Sequence, residues 1–198
     1  MDASAWDERY AAAELVWSAG PNQFVESELA DLPPGRALDL ACGEGRNARW
    51  LAGRGWQVTA MDFSSVAVAK ARSLYDDVDW QVGDALTAKL PARLDLVVIA
   101  YLQIPAGERT VVMRRAFEAL RHGGRLLVVA HDSTNIAEGT GGPQAPDVLY
   151  TAEDVLGDLV GHEFVVVKAG RVERVVKGVD EHGSDGTALD ALVHLVRT

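Results

Sequence analysis

A chain of 198 residues, 48 % of them hydrophobic and with a net charge of -10, has the length of one domain and enough apolar side chains for a sizeable core. No run of Lys or Arg exceeds the pair Arg114 and Arg115, so the basic footprint of a nucleic-acid binder is missing. The single cysteine, Cys42, excludes an intrachain disulfide and argues against a cysteine-built metal site, so no metal is expected. The opening MDASAWDERY lacks the basic start and apolar centre of a signal peptide. Apolar runs such as 96–102 fall far short of the ~20 residues that span a bilayer. A cytoplasmic protein without membrane or nucleic-acid partners is the expectation.

In chain order, Trp6 to Ala30 reads as helical with a break at Gly20-Pro21. Apolar runs then alternate with helical patterns. RALDLA is a predicted strand, Asn47 to Arg54 a helix, WQVTAMD a strand, Val66 to Tyr75 a helix, and VDWQVGD and LDLVVIA strands. Val112, Met113, Ala116, Phe117 and Leu120 recur at helical spacing before the turn HGG and the strand RLLVVAH. Alternation of this kind needs parallel strands with helical crossovers on both faces, an α/β doubly wound sheet. EGTGGPQAP, Glu138 to Pro146, reads as a surface loop. Thr151 with Asp154 three positions on starts a short helix as a capping box. HEFVVVKAGRVERVVKG and GTALDALVHLVR read as two final strands in an antiparallel hairpin at one edge, although the second also has helical apolar spacing.

In a parallel sheet the ligand site lies outside the carboxyl ends of the strands, where strand order reverses. The end of the first strand, Asp39 to Gly45, belongs there. Gly43 and Gly45 let the backbone turn sharply and approach a ligand. Asp62 follows Gly43 by 19 positions, close to the ~20-residue offset at which a carboxylate meets ribose hydroxyls. Asp62 as a cap for the helix starting near Ser65 is the plainer alternative. The turn ACGEGRN offers Arg46 and Asn47 where a dinucleotide fingerprint has its third small residue. Asp39, just before the turn, would repel phosphate and accept bonds from an ammonium group. A nucleoside ligand with an amine and no pyrophosphate is expected.

These residues resemble the class I S-adenosylmethionine-dependent methyltransferases. DLACGEG matches the family's acidic residue and glycine turn, AMD the acidic end of its second strand, and VGDA the acidic residue after the third. The match continues through LDLVVIAYLQ and HGGRLLVV to the final hairpin, and GRNARWLAGRGWQVTAMDFSSVAVAKAR looks most like the small-molecule branch of tellurite-resistance and thiopurine methyltransferase-like proteins. The resemblance implies one Rossmann-like domain over 1–198, with 1–30 as a helical lid and 36–198 as the core. It implies S-adenosylmethionine as methyl donor, S-adenosylhomocysteine as product and a small-molecule acceptor. It also implies that Asp39 binds the methionine ammonium, that Ala41, Gly43 and Gly45 let the turn approach the methionyl part, and that Asn47 lines the same site. Asp62 would hold the ribose, Phe63 the adenine face, Asp84 the exocyclic amine and Ala85 a ring nitrogen through its backbone, while Ala100 and Tyr101 would sit beside the sulfonium. Ala41 stands where the family usually has glycine. Trp6, Tyr10 and Trp17 share one face of the first helix; the spacing suits core packing as well as a lid, and the resemblance favours Tyr10 and Trp17 as cofactor contacts.

Methyl transfer from a sulfonium needs mainly alignment, because the leaving group is neutral and already activated. A base is needed only for an acceptor that arrives protonated. His131 and Tyr101, at strand ends on the ligand side, are the candidates, with backbone bonding the alternative role for His131. A nicotinamide-dependent oxidoreductase and a non-catalytic S-adenosylmethionine-binding protein are the competing functions. The first would need pyrophosphate space at the turn, which Asp39 opposes.

Overall fold

The computed structural model describes residues 3–12, 20–178 and 184–198. Two short helices, α1 (Ala3–Ala11) and α2 (Gln23–Leu29), precede β1 (Arg36–Leu40), α3 (Arg46–Gly53), β2 (Gln57–Asp62), α4 (Ser65–Leu74) and β3 (Asp79–Val82). Then come β4 (Leu94–Ala100), α5 (Ala106–Ala119), β5 (Leu120–His131), α6 (Asn135–Glu138), α7 (Ala152–Asp158), β6 (Phe164–Val176) and β7 (Gly186–Arg197). From β1 onward the expected strands and helices are present, with α5 and β5 beginning earlier than expected; of the helical stretch expected over Trp6 to Ala30, the structure describes α1 and α2, and residues 13–19 lie outside the described residues. No helix among the described residues is long and apolar enough to cross a membrane.

Seven strands form one sheet in the order β3-β2-β1-β4-β5-β7-β6. β1 to β5 pair in parallel, and β7 runs antiparallel to both β5 and β6. The parallel strands read as nearly continuous apolar runs because helices cover both faces. One face carries Leu38, Leu40, Val97 and Ile99 against Val112, Met113, Ala116 and Phe117 of α5 and Val155 of α7. The other carries Ala37, Val58, Ala60 and Val98 against Val25, Leu51 and Val68 of α2, α3 and α4. The ambiguity of β7 has the same origin. It lies between β5 and β6 and is buried along most of its length, so its apolar pattern carries no alternation, and sheet pairing decides its state. β6, the outer strand, leaves Val165, Val166, Val167 and Val175 exposed.

Local signals set the helix starts. Asn22 caps α2 through bonds from the Phe24 and Val25 amides (2.8 and 3.3 Å), and Ser64 caps α4 through the Ala67 amide (3.1 Å). The Thr151–Asp154 capping box opens α7 as expected. Arg109 of α5 and Asp158 of α7 form a buried ion pair (2.6 Å) that joins the two helices.

Strand order reverses between β1 and β4, so the crevice beyond their carboxyl ends is the natural ligand position. Among the residues there with left-handed backbone, Gly45 and Ala41 have opposite consequences. Gly45 (φ 80) starts α3, and a Cβ on it would lie 2.1 Å from the Trp80 ring. Ala41 holds φ 60 with a side chain already present, a conformation that L residues adopt at a cost of ~1–2 kcal/mol. Gly45→Ala should therefore destabilise the protein by about 3 kcal/mol through strain and overpacking. Ala41→Gly should raise stability by roughly 0.5 kcal/mol, since relief of strain exceeds the added freedom of the unfolded chain. Urea unfolding of both variants checks the pair, and equal losses would refute the assignment of strain to Ala41.

Candidate active site

The loops after β1 and β2 are tied to each other by a carboxylate. Asp62 Oδ2 accepts from the Gly43 amide (2.8 Å) and Oδ1 from the Ser64 amide (2.9 Å). The Cys42 amide bonds the Met61 carbonyl (3.0 Å) and the Gly45 amide the Cys42 carbonyl (3.0 Å). Asp62 is buried, and burial raises its pKa against the pull of those two amides. The cap of α4 belongs to Ser64, so Asp62 is a brace between turns rather than the helix cap that the alternative assigned to it. Each of its oxygens keeps a further lone pair for a hydroxyl donor.

Asp39 lies one step beneath. It is 1 % exposed, and neither carboxylate oxygen reaches a hydrogen-bond partner in good geometry. Burial pushes its pKa up to about 7, opposed by the Ala48 amide and the Arg46 guanidinium. A buried carboxylate without partners costs stability, and structural groups are rarely left so. Arg46 is within electrostatic reach of Tyr101, Asp39, Arg174 and Tyr10, and burial lowers its pKa. Asn47 is also buried, its side-chain carbonyl accepting from the Asn22 amide (2.9 Å).

The N-terminal helix docks beside this turn. Asp7 accepts from the Ser64 hydroxyl (2.5 Å) and the Val66 amide (3.3 Å) at the start of α4. Lys70 of α4 bonds the Tyr10 carbonyl, and Trp6 stacks on the buried Tyr10 (5.5 Å between ring centroids). Trp17 lies outside the described residues. Phe63 projects into solvent just past Asp62. Asp84 is exposed and accepts from the Leu86 amide (2.8 Å), while the Ala85 carbonyl accepts from Arg115 (3.1 Å). These residues line the carboxyl ends of β2 and β3, and Ala100 and Tyr101 end β4 on the opposite side of the crevice.

On that side a polar cluster forms that sequence reasoning reached only in part. Tyr101 has left-handed backbone (φ 62). Its hydroxyl donates to Asp190 Oδ2 (2.8 Å) and accepts from Asn22 Nδ2 (3.2 Å). Arg174 Nε donates to the same oxygen (2.8 Å), and its guanidinium lies over the Tyr101 ring. His131 stands 3.3 Å from Asp190 Oδ1 through Nδ1, and its ring lies against Tyr101 (4.8 Å between centroids). Its backbone amide bonds Gln103 (3.0 Å). Burial first and the Asp190 charge second raise the Tyr101 pKa, so the phenol stays protonated. Asp190, Arg174 and Asn22 were not anticipated. One signal was present for Asp190: a lone carboxylate within the apolar run ALDALVHL demands a partner.

Residues 37–124 match a family model described as a methyltransferase domain. The chain is similar to the ubiquinone biosynthesis O-methyltransferase of Xanthomonas euvesicatoria, with 31 % identity over 58 % of this chain and 50 % of that protein. It spans between about a third and two thirds of the length of the first curated relatives that it matches. The structure superposes on TehB from Haemophilus influenzae with a TM-score of 0.74 and 19 % identity, covering 90 % of this chain and 63 % of that one. It also superposes on the N-methyltransferase NodS from Bradyrhizobium japonicum in complex with S-adenosylhomocysteine, with a TM-score of 0.73, 17 % identity, and coverage of 100 % and 99 %. The acid-and-glycine turn, the braced carboxylate after the second strand and the strand order agree with the likeness of residues 37–124 to a methyltransferase domain and with the fold of these neighbours.

Proposed function

We propose that this single domain transfers the methyl group of S-adenosylmethionine to a small-molecule acceptor. The observation that carries the reading is the buried Asp39, whose two oxygens lack a hydrogen-bond partner in good geometry beneath a glycine turn. That arrangement suits an ammonium donor and opposes a pyrophosphate, so it disfavours a nicotinamide cofactor. Asp39 is closed from solvent, so direct contact requires the covering groups to part, and a bridging water is the other route. Gly43 and Gly45 with Ala41 shape the turn for the methionyl part. Asp62 takes the ribose hydroxyls, with Phe63, Asp84 and Ala85 along the adenine and Tyr10 and Trp17 in the N-terminal cover.

When bound, the donor supplies a methyl group on a sulfonium. The chain's work is to hold it in line with the acceptor and to keep water out. The names of the curated relatives do not choose the acceptor, since a ribosomal RNA methyltransferase stands beside quinone-biosynthesis enzymes. The net charge of -10 supports a small molecule over RNA.

Calorimetric titration with S-adenosylhomocysteine tests the cofactor assignment. Micromolar affinity is expected, reduced by about 1–3 kcal/mol in Asp62→Ala, the scale for hydrogen bonds to a charged group. Unchanged affinity in the folded variant would remove Asp62 from the ribose site. A methyl-transfer assay with labelled donor separates an enzyme from a protein that only binds it.

Asp39 adds a linkage. Its folded pKa is raised from 3.8 to about 7, so the group favours the ligand-free fold at low pH and loses that contribution as pH rises through about 7. An ammonium beside it favours the carboxylate. Binding at pH 6 should therefore release a proton and tighten towards pH 7, with the dependence flattening above that. Binding enthalpies in buffers of different ionisation heat measure the release, and its absence at pH 6 would argue that Asp39 does not meet the ammonium.

A further inference from the structure

We propose that His131 is the general base of this site, with Asp190 as its positioning residue, and that the acceptor is consequently a neutral hydroxyl compound that must lose a proton as it is methylated. The inference rests on the methyltransferase reading above and deepens it by naming the acceptor class.

β5 and β7 pair so that His131 and Asp190 are directly opposed in the ladder. Asp190 is fully buried, and its two oxygens are divided between tasks. Oδ2 is held by Tyr101 (2.8 Å) and Arg174 (2.8 Å). Oδ1 faces His131 Nδ1 at 3.3 Å, away from the line of a formed hydrogen bond. Such contacts in a ligand-free site tighten once substrate is in place. Burial would raise the Asp190 pKa, but the approach of His131 and the bonds from Arg174 and Tyr101 outweigh it, and the carboxyl stays below its usual range.

The imidazole is held on every side that the structure describes. Tyr101 lies against one face, and Gly142 packs so closely that a Cβ there would approach the ring to 2.9 Å. Gln103 fixes the backbone amide. The histidine side chain keeps 14 % exposure while Nδ1 is sealed beside Asp190, which leaves Nε2 as the atom that can meet an acceptor. A carboxylate at Nδ1 selects the tautomer with the proton on Nδ1 and the lone pair on Nε2. The charged and titratable groups facing the ring are Tyr101 just past β4 and Asp190 of β7, with Arg174 of β6 behind the carboxylate.

In the step this arrangement serves, Nε2 takes the hydroxyl proton. The freed oxygen pair forms the bond to the methyl carbon as the carbon–sulfur bond breaks, and its electrons stay on sulfur as a neutral thioether. The imidazolium then gives its proton to water. An acceptor that is already an anion gains nothing from this apparatus.

The test compares two probes, catechol and 4-nitrothiophenol, the second a thiolate at neutral pH. Labelled methyl transfer is measured in wild type, His131→Gln and Asp190→Asn, with S-adenosylhomocysteine titration of each. The expected result is transfer to catechol reduced about 100-fold in both variants, the scale of general-base catalysis. Transfer to the thiolate should fall far less, and S-adenosylhomocysteine affinity should hold. Equal losses on both probes, methylation of the thiolate alone by wild type, or transfer to neither while S-adenosylhomocysteine binds would each overturn the proposal. Absence of S-adenosylhomocysteine binding in wild type would instead overturn the methyltransferase reading. Should Asp190→Asn not fold, nitrogen NMR of the neutral His131 ring in wild type replaces it. Protonation at Nδ1 supports the dyad, and protonation at Nε2 sinks it.

Discussion

The carboxylate of Asp62 is the constraint on which the architecture of the crevice depends. One oxygen binds the amide of Gly43 and the other the amide of Ser64, so two loops from neighbouring parallel strands are held by a single side chain. That brace adds to the backbone bond from the Cys42 amide to the Met61 carbonyl, which ties the same turn to β2. The docking of α1 depends on it at one remove, because Asp7 binds Ser64 and Val66 at the start of α4. The first loop is therefore placed by the second, and α1 docks on the helix that follows it.

Asp39 and Asp190 show two ways of burying a carboxylate. Asp190 has one oxygen bonded to a phenol and a guanidinium, and its charge is stabilised where it stands. Asp39 lacks such partners and sits partway to neutrality. A protein holds an unpaired buried carboxylate against a free-energy cost only when something compensates it in another state. The chain thus keeps a stable charge beside the end of β4 and a conditional one beneath the glycine turn.

What the sequence made legible was local or periodic. The order of strands and helices followed from apolar spacing, and the glycine turn, Asp39 and Asp62 from short offsets along the chain. The Thr151 capping box was readable for the same reason. Asn22, Arg174 and Asp190 were not, because their meaning lies in contacts between distant segments. Tyr101 and Asp190 are 89 positions apart, and only the insertion of β7 between β5 and β6 brings them together. His131 was visible as a strand-end histidine, yet its partner depended on the β5–β7 register. Even the state of β7 was open to pattern reasoning, since a strand buried on both faces loses the alternation that would reveal it.

The position of β7 in the chain has a consequence for how the protein is made. Synthesis delivers β1 to β5, the glycine turn and Asp62 well before the ribosome reaches Asp190, so an emerging chain can shape the glycine-turn side of the crevice while Tyr101, His131 and Arg174 still lack their common carboxylate. The opposite side of the crevice is complete only when β7 pairs with β5 and, through its other edge, brings β6 into the sheet. A chain interrupted a dozen or so residues early would lose much more than an outer strand, for the missing piece lies inside the sheet and carries the charge around which that half of the crevice is assembled.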